Sequence, residues 1–86
     1  MDGRKFLNLC VEKLLDIVND YNRFDNADAD DVLIAWSCKT LQHNKALLGV
    51  DGSDKYYEFT YNGDKKELYV DIYSKADQHV FEEGQL

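Results

Sequence analysis

Residues 56–73, Tyr-Tyr-Glu-Phe-Thr-Tyr-Asn-Gly-Asp-Lys-Lys-Glu-Leu-Tyr-Val-Asp-Ile-Tyr, constrain this chain more than any other stretch. Tyr57, Phe59 and Tyr61 alternate with Tyr56, Glu58 and Thr60. After Asn62-Gly63-Asp64, Leu68, Val70 and Ile72 alternate with Glu67, Tyr69, Asp71 and Tyr73. Two runs of period two about a turn signal read as a β-hairpin with one buried and one wetter face. A turn centred on Asn62-Gly63 would set Glu58 opposite Glu67, a like-charge pair that weakens a sheet. A turn centred on Gly63-Asp64, or a four-residue loop over 62–65, pairs Phe59 with Leu68 and Tyr57 with Val70. It also sets Glu58 opposite Tyr69 and Tyr56 opposite Asp71, and it is the register we expect.

Upstream the period changes. Leu7, Cys10, Leu14, Ile17, Tyr21 and Phe24 recur at spacings of three and four, with Val11, Leu15 and Val18 widening the stripe. That pattern predicts an amphipathic helix over 4–24 with Asp2 as its N-cap. The connection 25–31 carries four aspartates and no cation, and its Asp and Asn content disfavours regular structure. Strand one is expected from Val32 to about Leu41 and strand two over about 45–50, joined through Gln42-His43-Asn44. Asp51-Gly52-Ser53-Asp54 turns the chain into strands three and four, about 55–62 and 66–73. The tail 74–86 offers a short helix or a fifth strand near 78–82 and frays after Glu83. The expected architecture over 1–86 is a single α+β domain. Its N-terminal helix 4–24 and acidic connection 25–31 lead into a four-stranded antiparallel β-meander over 32–73.

One helix cannot cover both faces of such a sheet. The covered face would hold Val32, Ile34, Trp36, Tyr57, Phe59, Leu68, Val70 and Ile72. The other would present Tyr56, Glu58, Tyr69, Asp71 and Tyr73 with Leu33, Ala35 and Thr60. Those five, Tyr56, Glu58, Tyr69, Asp71 and Tyr73, are the candidate binding residues. Tyrosine suits a half-wet strand face as filler, and it equally suits a contact surface.

Composition excludes more than it assigns. With 86 residues, 44% apolar and 13% aromatic, the chain can build one small core. Its net charge of −7 opposes direct nucleic-acid binding and attraction to an anionic membrane. No stretch of about 18 apolar residues could span a bilayer, and Glu12, Lys13 and Asp16 interrupt any signal-peptide core. Cys10 and Cys38 sit within apolar patterns and are expected as two buried free thiols in a reducing compartment.

Catalytic and metal chemistry finds little support. Asn26, Asp28 and Asp30 alternate like the start of an EF-hand loop. That loop needs Gly at its sixth position and Glu at its twelfth, where this chain has Asp31 and Ser37. His43 and His79 lack a second ligand at zinc spacing. The five glycines are scattered, with no phosphate-cradling loop. Glu58 and Asp71 could approach each other, but an open sheet face would not drive their pKa values apart. No enzyme activity, cofactor or metal is expected.

The segments Asp31-Val-Leu-Ile-Ala-Trp-Ser-Cys-Lys-Thr-Leu-Gln-His-Asn-Lys-Ala-Leu-Leu and 56–73 together resemble a family of short, uncharacterised phage and prophage proteins of Gram-positive bacteria. Trp36–Gln42 with Lys45-Ala-Leu-Leu is the most specific part. The resemblance implies a setting, the cytoplasm of an infected bacterium, and brings no site residues. Within it, the leading expectation is a non-catalytic accessory protein. It would bind a host or phage protein through the tyrosine face or the acidic loop, with self-association as the simplest cover for that face. The alternative is a nucleotide-type small-ligand binder, against which stands a shortage of cations, with only Lys39, Lys55, Lys66 and Lys75 near the outer face.

Overall fold

The structure is a computed structural model that describes residues 1–21, 27–74 and 76–85. The helix α1 spans Gly3–Tyr21. Asp2 caps it, its carboxylate accepting the Lys5 N–H at 2.9 Å. That hydrogen bond, with help from the Lys5 and Lys39 charges, holds the Asp2 carboxyl below its ordinary value. The expected continuation to Phe24 lies outside the described residues. A 3-10 turn, Ala29–Asp31, follows, and the strands are β1 Val32–Thr40, β2 His43–Val50, β3 Lys55–Asn62 and β4 Glu67–Ser74. They form one antiparallel sheet in the order β1-β2-β3-β4, so the helix-plus-meander, α+β architecture stands.

The helix buries Phe6, Cys10 and Leu14, spaced one turn apart, against Ala46, Leu48, Tyr57 and Phe59 of the sheet. It sits mainly over β1 and β2. Consequently β4 carries the inner-face pattern without full cover: Leu68 and Val70 are half-buried, and Ile72 is exposed. Asn44, on the same inner face, is buried with no hydrogen-bond partner for its amide among the described residues.

Residues 27–31, the described part of the acidic connection, are more ordered than their composition suggests. Asp28 accepts the Asp30 N–H while Asp31 accepts the Asp28 N–H, a reciprocal capping box. The Asn19 side chain grips Ala27 by both its N–H and its carbonyl, and the Asp51 N–H donates to the Asp31 carbonyl. The segment is thus tied to the end of α1 and to the β2–β3 turn.

Four expectations are corrected. First, β1 bears a bulge between Ile34 and Trp36. One extra residue reverses the inward–outward alternation beyond it. Trp36 therefore faces outward opposite Leu47, and Cys38 faces outward opposite Lys45 and is exposed rather than buried. Second, the β3–β4 register lies two residues from the expected one: Phe59 meets Val70, Tyr57 meets Ile72, and Glu58 meets Asp71. The loop is Gly63–Lys66, because Asn62 accepts the Asp64 and Lys65 N–H groups and Lys66 takes a left-handed φ of 54°. Third, the first hairpin turns through Leu41-Gln42, with Leu41 at φ 57°, so His43 and Asn44 are strand residues. Fourth, the tail shows neither a helix nor a strand near 78–82; its regular element is a 3-10 turn at Glu83–Gln85.

The two loops at one end of the sheet interlock. The Gly63 N–H donates to His43 Nδ1 at 3.2 Å, which assigns the ring proton to Nε2, 3.6 Å from Asp64. The Gln42 amide also donates to the Asp64 carboxylate. A side chain at Gly63 would bring its Cβ within 2.2 Å of the Gln42 carbonyl oxygen, so glycine is the residue this junction admits.

Candidate functional site: the outer face of the sheet

Cross-strand pairing arranges the outer face in rows. Leu33, Gly49, Tyr56 and Tyr73 form one; Trp36, Leu47, Glu58 and Asp71 form the next; Cys38, Lys45, Thr60 and Tyr69 form the third. All five expected binding residues, Tyr56, Glu58, Tyr69, Asp71 and Tyr73, lie on this face. Tyr56 directly faces Tyr73, and Glu58 directly faces Asp71. Leu33, Trp36, Tyr56, Tyr69 and Tyr73 are exposed, from 41% for Tyr69 to 56% for Leu33. Isolated exposed apolar residues are ordinary in folded proteins, but five on one sheet face constitute a patch.

Trp36 belongs to this site and was not legible as part of it. The sequence Val-Leu-Ile-Ala-Trp is apolar throughout, so nothing in its alternation marks Ala35 as the extra residue. The patch is shaped by Gly49, which lowers the surface between Leu33 and Tyr56; a Cβ there would meet only the Lys55 carbonyl, at 4.0 Å.

The electrostatics are local. Glu58 and Asp71 are a like-charge pair in the very arrangement that weakens a sheet. Lys45 on β2 offsets it, with its ammonium 3.4 Å from the Glu58 carboxylate. Lys39, expected near this face, pairs with Asn44 on the inner one, and Lys75 lies outside the described residues. The Tyr69 hydroxyl donates to the Glu67 carboxylate, which with burial and the Glu67 charge raises the Tyr69 pKa. These groups make a surface of rings, hydroxyls and carboxylates. It can stack and hydrogen-bond, and it can receive cationic groups. Among the described residues, no cluster of three or more His, Cys, Asp or Glu side chains could hold a metal ion. No helix among them is long and apolar enough to cross a membrane.

An open antiparallel sheet with one helix on one face and an aromatic, acidic outer face defines a small α+β domain. The chain belongs to the family of unknown function DUF6275, whose model matches residues 7–83 and so spans most of the helix, the acidic connection and all four strands. No curated protein and no solved structure matches it.

Proposed function

We propose that this chain is a non-catalytic protein-binding module that presents the outer face of its sheet to a partner protein. The observation that carries this reading is the β1 bulge, which brings Trp36 out beside Leu33, Tyr56 and Tyr73 on the face opposite the helix. Tryptophan and tyrosine are the side chains most enriched where protein surfaces bury each other, because each offers a large rigid contact area and a polar handle. The net charge of −7 and the Glu58–Asp71 pair favour a partner with a basic surface. A nucleotide is a poorer fit, since Lys45, the cation within the rows of this face, is already engaged with Glu58. In its finer form, the module is a phage accessory protein in the cytoplasm of a bacterial host, where it occupies a host defence protein or host enzyme.

The test is affinity capture from host-cell extract with the wild-type chain and a Trp36→Ser/Tyr56→Ser double variant. Both substituted positions are exposed, so the variant keeps its fold by circular dichroism. It is expected to lose the captured protein, whereas an Asp28→Asn/Asp30→Asn variant keeps it. Capture that survives the double variant and fails with the aspartate variant would move the binding site to the acidic connection. A nucleotide released by heating the purified protein would replace this reading with that of a ligand binder.

A further inference from the structure

β4 is an edge strand of a kind that folded proteins usually protect. The other edge, β1, is interrupted by its bulge and carries Lys39. β4 has neither a bulge nor an inward-facing charge: Glu67–Ser74 pairs with β3 without interruption, contains no Lys, no Pro and no Gly, and carries its two charges, Glu67 and Asp71, on the outer side. Among the described residues no strand pairs with the outer edge of β4, which carries apolar Leu68, Val70 and Ile72 on its inner side.

The side chains of this strand say what fits there. Its outer side alternates acid and tyrosine: Glu67, Tyr69, Asp71, Tyr73. An antiparallel copy centred on Val70 would set Glu67 against the second copy's Tyr73 and Tyr69 against the second copy's Asp71. Every carboxylate would then face a hydroxyl. On the inner side, Val70 would meet its own counterpart and Leu68 would meet Ile72. Moving the centre one step either way that keeps the faces matched brings like charges together. Centring on Asp71 opposes the two Asp71 carboxylates on the axis, and centring on Tyr69 opposes Glu67 and Asp71 twice. Like charges directly opposed across strands are destabilising, whereas apolar and hydrogen-bonded pairs each contribute roughly 0.2–1 kcal/mol.

We propose that the β4 edge is the docking site for a second copy of this chain, the two strands running antiparallel about Val70. The product is a two-fold, isologous dimer with one continuous eight-stranded sheet. The helices, over β1 and β2, lie away from the junction. The two outer faces lie on the same side, so the aromatic patch is doubled.

The experiment uses the full chain. By light scattering at high protein concentration, the wild type is expected at 20.0 kDa, twice the 10.0 kDa chain. Tyr69→Glu, which opposes two acids to the facing Asp71 groups, is expected at the mass of the single chain. Tyr69→Arg, at the same exposed position, keeps the dimer. In a Cys38→Ser background, Val70→Cys cross-links to itself under a short thiol reagent, and Leu68→Cys does not, because only the residue on the axis meets its own copy. The Trp36→Ser/Tyr56→Ser variant, which tests the outer face, remains dimeric, so the two proposals fail separately. A monomeric wild type would overturn the inference. So would equal cross-linking at 68 and 70, or a dimer lost in the Trp36/Tyr56 variant but retained in Tyr69→Glu, which would point to pairing through the faces.

Discussion

Cys10 and Cys38 are alike in sequence context and opposite in chemistry. Cys10 is sealed between the helix and the sheet, and that burial pushes its thiol up to about 12. Cys38 stands exposed on the outer face. Because the thiolate is the reactive form, one thiol should label rapidly in native buffer at neutral pH and the second only after denaturant is added. Two thiols labelling at one fast rate would mean that Cys10 is not in the core. The same burial has a consequence for pH. The folded-state value lies above the ordinary 9.0, so the stability linked to this group is intact below about pH 9. It is lost as pH climbs towards 12, where the unfolded chain can ionise its thiol and the folded chain resists. A Cys10→Ala variant should show a shallower alkaline loss than the wild type in denaturant melts at successive pH values. Tyr57, whose pKa is raised by burial and then by the Asp54 charge, leaves part of that loss in place.

At the level of the element, one inserted residue decides where the largest side chain goes. Ala35 interrupts the alternation of β1, so Val32 and Ile34 face inward before it and Ser37 and Lys39 after it. Trp36 and Cys38 change sides together, two departures from the sequence reading with a single cause. A stability comparison tests this directly. Phe59→Ala removes a fully buried ring and should cost about 3–5 kcal/mol, whereas Trp36→Ala, at a site 42% exposed, should cost about 1 kcal/mol. If Trp36→Ala proves as damaging as Phe59→Ala, strand one has no bulge there. The faces of β3 and β4 were legible because alternation at period two survives any register shift of two residues. For the same reason the register was not legible, since Phe59 lies on the inner face whether it meets Leu68 or Val70. What selects between them is the Asn62 side chain gripping two backbone N–H groups, the left-handed Lys66, and Lys45 offsetting the Glu58–Asp71 repulsion. The last of these comes from a different hairpin and is invisible to a reading of 56–73 alone.

Across the whole molecule, protection is graded by who covers whom. β2 and β3 have a strand on either side, and they supply Ala46, Leu48, Tyr57 and Phe59 to the core. β1 is an edge, but α1 lies over it and the Asp31–Asp51 backbone hydrogen bond fastens its beginning. β4 is the edge farther from α1: its Leu68 and Val70 are half-buried against the core, and its inner residue Ile72 is 48% exposed, as Ile34 of β1 is at 47%. Local opening is easiest where few apolar contacts hold the backbone and many of its hydrogen bonds face water. Amide hydrogen exchange at low protein concentration should therefore be slowest in β2 and β3, intermediate in β1, and fastest in β4. Raising the concentration should slow the β4 amides selectively, because pairing about Val70 covers the N–H groups that a single chain leaves open. A β1 that exchanges faster than β4 in the dilute protein would mean that the helix does not hold β1 and β2 as described. A β4 whose exchange is indifferent to concentration would leave its edge without a second copy.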